Sequence, residues 1–360
     1  MVEIIRSRKK MSRKVFLRLG GALLGSAALA ACTPRRMGLG PHGSSIVQMV
    51  YQDWQSEYFS GMAQQMLEQF HETHPDIHVF YTRDPDNLYE EMVDDFAAQT
   101  PPDVFQGCCE YFPIWAQKGY LLDLGPYIEA DLDRNTLEDW DPAHYKALSI
   151  ADGQQFGLPK YQGTLALYYN KDLFDRYGVS HPDDQWTHGD YYLAMRRFIA
   201  DRARIGENVV WGSMLNVAWD RIQVHVNAWG GHLVDPSDPT RSLMDQPEAL
   251  AAMQWIRDRM WGDKVMATRL DVQGDSTRDA FIRGKVAMVE EGSWALKDIL
   301  EKADFRIGVT TLPSGPGAKV TLSTTDAYAI YRETRYPEAA WDLIKFLTSA
   351  EYCRAMARTQ

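Results

Sequence analysis

From Ile46 onward, short β-prone runs alternate with segments whose apolar residues recur at helical spacing, and that alternation confines the chain to an α/β fold. Ile46–Tyr51 reads as a strand, and Phe59, Met62, Met66 and Phe70 mark one face of a helix that Pro75 ends. Ile77–Tyr81 is the next strand, Tyr89–Ala98 the next helix, and Asp103–Phe105 a short strand after it. Thr187-x-x-Asp190 has the spacing of a capping box. Pro247 fits the first position of a helix carrying Ala249, Ala252, Met253, Ile256 and Met260. Ser276-x-x-Asp279 opens a short helix that Gly284 stops in the left-handed conformation, before a strand over Lys285–Val289. Near the end, Pro337 precedes a helix with Ala340, Leu343, Ile344 and Leu347 on one face. Such alternation predicts largely parallel sheets.

The first 31 residues have a different character. They carry seven Lys/Arg and one acid, and Leu19–Ala31 is an uncharged run of 13 residues. A basic segment, a short apolar run and small residues at its end predict a secretory signal peptide over 1–31. The run falls short of the roughly 20 residues that span a bilayer. It ends Leu29-Ala30-Ala31-Cys32, which resembles a bacterial lipobox and implies cleavage before Cys32 and a diacylglycerol on its thiol. Ser12-Arg13-Lys14-Val15-Phe16-Leu17 resembles the twin-arginine export motif with Lys for the second Arg, so either export route stays open. Residues 32–45, rich in Pro, Gly, Arg and Ser after the Cys, read as a flexible leash. Their Gly38-x-Gly40-x-x-Gly43 follows no strand and opens no helix, so it is not a dinucleotide site.

The whole chain carries −11; the signal segment contributes +6, leaving −17 for residues 32–360. That balance excludes nucleic acid as a partner, since neutralising phosphates takes Lys and Arg. The length exceeds one comfortable domain and predicts two lobes. Adjacent Cys108 and Cys109 with distant Cys353 form neither a disulfide framework nor a CxxC metal pattern, so Cys108 and Cys353 read as buried free thiols. His71, His74 and His78 straddle Pro75, lack HExxH spacing and read as solvated histidines. No metal or cofactor is expected, and neither a nucleophile elbow nor a P-loop is present to suggest an enzyme.

Several segments together resemble the extracellular solute-binding proteins of ABC transporters, in the family that includes maltose-binding proteins. In order they are Phe70–Val79, Pro102-Asp103-Val104, Gly119–Leu124, Phe156–Pro159, Tyr168–Phe174, and Pro182 with Trp186 and Thr187. Gly230-Gly231, Phe281-x-x-Gly284-Lys285-Val286-Ala287-Met288 with Gly292-Ser293-Trp294, and Pro337–Trp341 with Lys345-Phe346-Leu347 complete the series. The resemblance implies a two-lobed periplasmic-binding-protein fold (type II) with the ligand in a cleft between the lobes. It places residues 45–163 plus 312–350 in the N-terminal lobe and 164–311 plus 351–360 in the C-terminal lobe. The family usually continues past the helix at Pro337, so either a shorter second lobe or a truncated sequence is expected. It further implies a monomeric receptor, held outside the cytoplasmic membrane by the lipid on Cys32, that hands its solute to an ABC permease.

A sugar presents apolar C–H faces and a rim of hydroxyls, which aromatic rings and polar side chains match. Aromatics beside acids near predicted strand ends nominate Asp53, Trp54, Glu110, Tyr111, Tyr161, Trp219, Glu291, Trp294 and Asp326, with Trp229 beside the paired glycines. A core position is an equal alternative for each aromatic except Trp54 and Trp294, which are favoured as ligand platforms. A carbohydrate leads as ligand. A polyamine would suit the acids, whereas glycerol phosphate would want arginines that no strand end supplies. A glycoside-cleaving enzyme is a further class: adjacent Glu290 and Glu291 point to opposite faces of a strand and cannot flank one bond, whereas two acids from distant positions could, and an adhesion or structural lipoprotein is the remaining class.

Overall fold

A computed structural model describes residues 46–108, 111–150, 153–200 and 210–359. The signal segment, Cys32, the leash, Cys109 and Glu110 lie outside the described residues. Twelve strands are assigned among them: β1 (Val47–Asp53), β2 (Ile77–Arg83), β3 (Val104–Cys108), β4 (Leu158–Tyr161), β5 (Leu165–Asn170), β6 (Trp211–Met214), β7 (Val234–Asp235), β8 (Asp238–Ser242), β9 (Met266–Ala267), β10 (Val286–Gly292), β11 (Ile307–Thr310) and β12 (Asp326–Ile330).

The local signals act where the sequence places them. Thr187 accepts from the Asp190 amide and Asp190 answers to the Thr187 amide, closing a capping box over the helix His188–Ile199. Ser276 caps the helix Thr277–Ile282, and Gly284 follows it with φ +66°, which a side chain would make costly. The helix Pro337–Leu347 begins on its proline and buries Ala340, Trp341, Leu343, Ile344 and Leu347, each large apolar side chain contributing about 1.5–3 kcal/mol.

The strands form two five-stranded sheets, in the orders β2-β1-β3-β12-β4 and β11-β5-β10-β6-β9, beside a β7-β8 hairpin. The sheets are mixed rather than largely parallel. In the first, β1 runs parallel to β2 and β3, but β12 is antiparallel to both β3 and β4. In the second, β6 is parallel to β9 and β10, but β5 is antiparallel to β10 and β11. The reversals come from the strands next to the crossings: the chain leaves the first sheet through β4, enters the second through β5, and returns through β12. Helix–strand alternation reports the parallel units and is blind to such returns.

Each sheet has its own core. Tyr51, Phe70, Leu158, Tyr328 and Ile344 pack in the first; Leu167, Tyr191, Phe198, Met266 and Met288 pack in the second. Two antiparallel crossing segments join them. Thr324 N–H donates to the Gly163 carbonyl at 2.9 Å, Gly163 N–H to Thr324 Oγ1 at 3.0 Å, and Leu165 N–H to the Leu322 carbonyl at 3.2 Å. Glycine is required in this crossing: a Cβ on Gly163 would lie 2.7 Å from the Trp294 ring and 2.8 Å from Thr324 Oγ1.

Two stretches sit in lobes other than those expected. The helix Ala350–Ala357, assigned by resemblance to the second lobe, packs on the first. Tyr352 is fully buried with its Oη 3.3 Å from Tyr51 Oη, and Met356 joins Phe59 and Ala63. Conversely Leu312 is buried in the second core, with Val320 and Leu322 against it, so the return to the first lobe is made near Thr324 rather than at residue 312. Apolar side chains, not the helix order, decide both placements. His71 also departs from its reading: it is half-buried, and its Nε2 accepts from the Val79 amide at 3.0 Å, tying the first helix to β2. Among the described residues, no helix is long and apolar enough to cross a membrane.

Candidate functional site

The carboxyl ends of β1, β2, β3 and β4 and the start of β12 face the second lobe across an open cleft of about 600 Å³. Six of the nominated residues line it: Trp54, Tyr111, Tyr161, Trp219, Trp294 and Asp326. Trp54 follows β1 directly and meets the Tyr161 ring edge-on at 5.2 Å. Tyr161 ends β4 and reaches across the lobes, its Oη 2.7 Å from Ser293 Oγ. Trp294 comes from the turn after β10, with the Arg221 guanidinium carbon 5.3 Å above its ring. Trp219, the first residue of the helix Trp219–Ala228, is half exposed.

The other nominated residues stand elsewhere. Asp53 is fully buried beneath the cleft, where it pairs with Lys160 and accepts from the Tyr51 hydroxyl and, at 2.6 Å, from the Trp54 amide. Glu291 is buried and occupied by Thr277 Oγ1 at 3.1 Å and by the Gly292 amide at 2.9 Å. Glu290, on the opposite face of β10, meets His225 Nε2 at 3.1 Å. Trp229 packs against His188 and Trp255 at ring distances of 4.7 and 5.7 Å. It closes the helix that Trp219 opens, and ten residues of helix put about 15 Å between them. Glu110 lies outside the described residues.

Several lining residues carry no aromatic–acid signature. Asp84 follows β2, Ser56 caps the first helix, and Thr324 belongs to the crossing. Arg221 and Arg278 also face the cleft. A search of strand ends misses these arginines because they ride on helix starts, in Trp219–Ala228 and Thr277–Ile282. Their position next to Trp219-Asp220 and the Ser276 cap was the available signal. Cys108, expected buried, is half-buried and lines the cleft.

Charge on the first-lobe wall is unevenly matched. Lys160 is fully buried, its Nζ against Asp53 and 3.3 Å from the Trp54 ring centroid. Burial lowers its pKa, and Asp53 is the largest influence opposing that. Asp84 and Asp326 lack such a partner. Burial, reinforced by the Asp53 charge, raises both carboxyls to about 7, while Lys160 pulls each back only in part. Gln106 Nε2 donates to Asp84 Oδ2, the Gln52 side chain also donates to Asp84, and the Trp54 side chain donates to Asp326.

The sign of the pH dependence follows. An aspartate in the unfolded chain titrates near 3.9, so between about pH 4 and 7 the folded protein holds protons that the unfolded chain has released. Stability contributed by these groups is present below that window and lost as pH rises through it. Asp326→Asn should melt about 2–4 °C above the parent at pH 8 and level with it near pH 4, read by thermal unfolding without ligand. A loss of stability at pH 8 would show that the folded protein compensates the Asp326 charge.

Residues 54–352 match the sequence model of the bacterial extracellular solute-binding proteins. A binding protein of Brucella abortus is 25% identical over 274 residues, covering 74% of this chain. The chain spans only 63% of that relative's length. The melibiose/raffinose/stachyose-binding protein MelE of Bacillus subtilis is 31% identical over 128 residues, 35% of this chain and 27% of its own. Among solved structures, an ABC substrate-binding protein of Listeria monocytogenes in complex with cycloalternan superposes with a TM-score of 0.78 at 25% identity, covering 86% of this chain and 76% of that one. The sequence match over residues 54–352 and the superposition agree, and the chain belongs to the family of bacterial extracellular solute-binding proteins.

Proposed function

We propose that this chain is the extracytoplasmic receptor of an ABC importer, a non-catalytic protein that captures a carbohydrate and delivers it to a membrane permease. The wall chemistry of the cleft carries the reading: five aromatic residues, Trp54, Tyr111, Tyr161, Trp219 and Trp294, converge from both lobes and stand among Asp84, Asp326, Arg221 and Arg278. Rings cover the C–H faces of a pyranose, and the charged groups take its hydroxyls. The sugars named for MelE and the cycloalternan held by the Listeria protein support the same ligand class. Hinge motion at the two crossing segments would close the lobes on the ligand. Glu290 and Glu291 are both spent on internal partners and do not make a flanking pair of carboxylates.

Thermal-shift screening against sugars, polyols and polyamines tests the ligand class. Sugar binding should raise the midpoint, and Trp294→Ala should weaken that sugar by about tenfold or more while the ligand-free protein still unfolds cooperatively. Unchanged affinity in this variant would leave Trp294 a packing residue only, and a response to polyamines with none to sugars would replace the carbohydrate reading.

Export and anchoring form the second part of the proposal. A signal peptide over 1–31 and a lipid on Cys32 would hold a monomer at the outer face of the membrane, with the leash raising its concentration near the permease. Cys32→Ser should release the protein from the membrane fraction with ligand affinity intact. Membrane retention of the variant would remove the lipid from the account.

A further inference from the structure

The first-lobe wall of the cleft holds three buried carboxylates and one ammonium. Asp53, Asp84, Asp326 and Lys160 are each no more than 9% exposed. Lys160 spends its charge on Asp53 directly beneath the cleft floor. Among the described residues, the other groups on this wall offer no second cation. Arg83, next to Asp84 in sequence, is exposed at the end of β2. His144 contacts only the Asp326 backbone carbonyl, at 3.0 Å, and burial lowers its pKa, which keeps it neutral. Tyr51, Tyr81 and Tyr328 surround the pair as neutral phenols whose pKa values burial raises. On the facing wall Arg221 is matched by Asp220 at 2.7 Å and Arg278 by Asp298 at 3.6 Å.

Two carboxylates are therefore left over, and both line the cavity. Asp84 is held by the neutral amides of Gln106 and Gln52 and by no cation. Asp326 lies in register with Tyr161 across β12 and β4, beside the Trp54 indole, and these two rings meet edge-on, so a group reaching its carboxylate lies against an aromatic wall. A buried anion without a counter-ion either takes up a proton or awaits a cation. Rings around such an anion favour a cation further, since an ammonium is attracted to an aromatic face.

We propose that the solute is an amino sugar or an aminated oligosaccharide, whose protonated amine is received by Asp326 beside Trp54 and Tyr161, with Asp84 as a second acceptor on the same cleft wall. This rests on the carbohydrate reading and narrows it. An ammonium replaces the protons that Asp84 and Asp326 would otherwise hold, so binding near neutral pH releases protons. A neutral sugar satisfies the same acids only as hydrogen-bond acceptors or donors and gains nothing from their ionisation. At low pH both acids are protonated, the ammonium loses its counter-charge, and the advantage of the amine falls.

Calorimetric titration of the full chain in detergent tests this with sets differing at one substituent. These are glucosamine, glucose and N-acetylglucosamine, and the β-1,4 dimers bearing free amines, hydroxyls or acetamides. Maltose, melibiose and putrescine complete the panel. Near pH 7.5 an amine should bind at least about tenfold tighter than its hydroxyl and acetamide counterparts. Near pH 6.5, where the free amine is itself protonated and the acids still hold protons, its heat should differ between buffers of different ionisation enthalpy in the sense of proton release. The preference should shrink to within about threefold near pH 5.5 and disappear in Asp326→Asn. A neutral sugar binding tighter than every amine overturns the inference and leaves the carbohydrate reading standing. An amine preference that survives both Asp326→Asn and Asp84→Asn overturns the assignment of the site. Binding of putrescine with every sugar silent overturns the carbohydrate reading and this inference with it, and silence throughout does the same.

Discussion

One buried ammonium sets the terms for the cleft. Lys160 has no exposed side-chain surface, sits against Asp53 and lies 3.3 Å from the Trp54 ring centroid. Taking that ion pair out of water costs several kcal/mol per ion, which only close geometry and further hydrogen bonds offset. Tyr51 and the Trp54 amide supply those bonds to Asp53. The consequence reaches beyond the pair. Because the ammonium is committed to Asp53, Asp84 and Asp326 face the cleft with no cation of their own, and their raised carboxyl pKa values record that imbalance. Packing and chemistry are joined here: the interaction that secures β1 to β4, at opposite sides of β3 and β12, also decides what the cleft will accept.

The second constraint is the pair of crossings. Gly163 and Thr324 exchange hydrogen bonds between the two crossing segments, against the Trp294 ring. A ring used as a binding wall is thus also packed on the joint about which the lobes would turn. Tyr161 and Ser293 add a contact across the same joint. A ligand that presses on Trp294 or Tyr161 would act on the hinge directly, a short mechanical path from occupancy to closure.

Much of this was legible in the sequence, and the failures have physical causes. Caps and stops at Thr187, Ser276, Gly284 and Pro337 are read from one or two neighbouring residues, and they fall where expected because capping is a local hydrogen-bond problem. The mixed sheet direction was invisible, since β5 and β12 look like any other strand and only the crossings reverse them. Aromatic–acid adjacency found Trp54, Tyr161, Trp294 and Asp326 on the cleft wall, but it cannot tell which face of an element is open. It therefore nominated Asp53, Glu291 and Trp229, which are spent on internal partners or packing. Arg221 and Arg278 escaped because they arrive on helix starts, and Lys160 because its importance lies in a charge count across four separate segments rather than in any motif.

The central claim is that a solute held in this cleft couples the two lobes. A distance measurement between spin labels, one at exposed Phe80 on the first lobe and one at exposed Leu270 on the second, tests it most directly. Saturating ligand should narrow the distribution of separations to a single population distinct from that of the free protein. A distribution that stays unchanged under saturating ligand would contradict a cleft that closes on its solute.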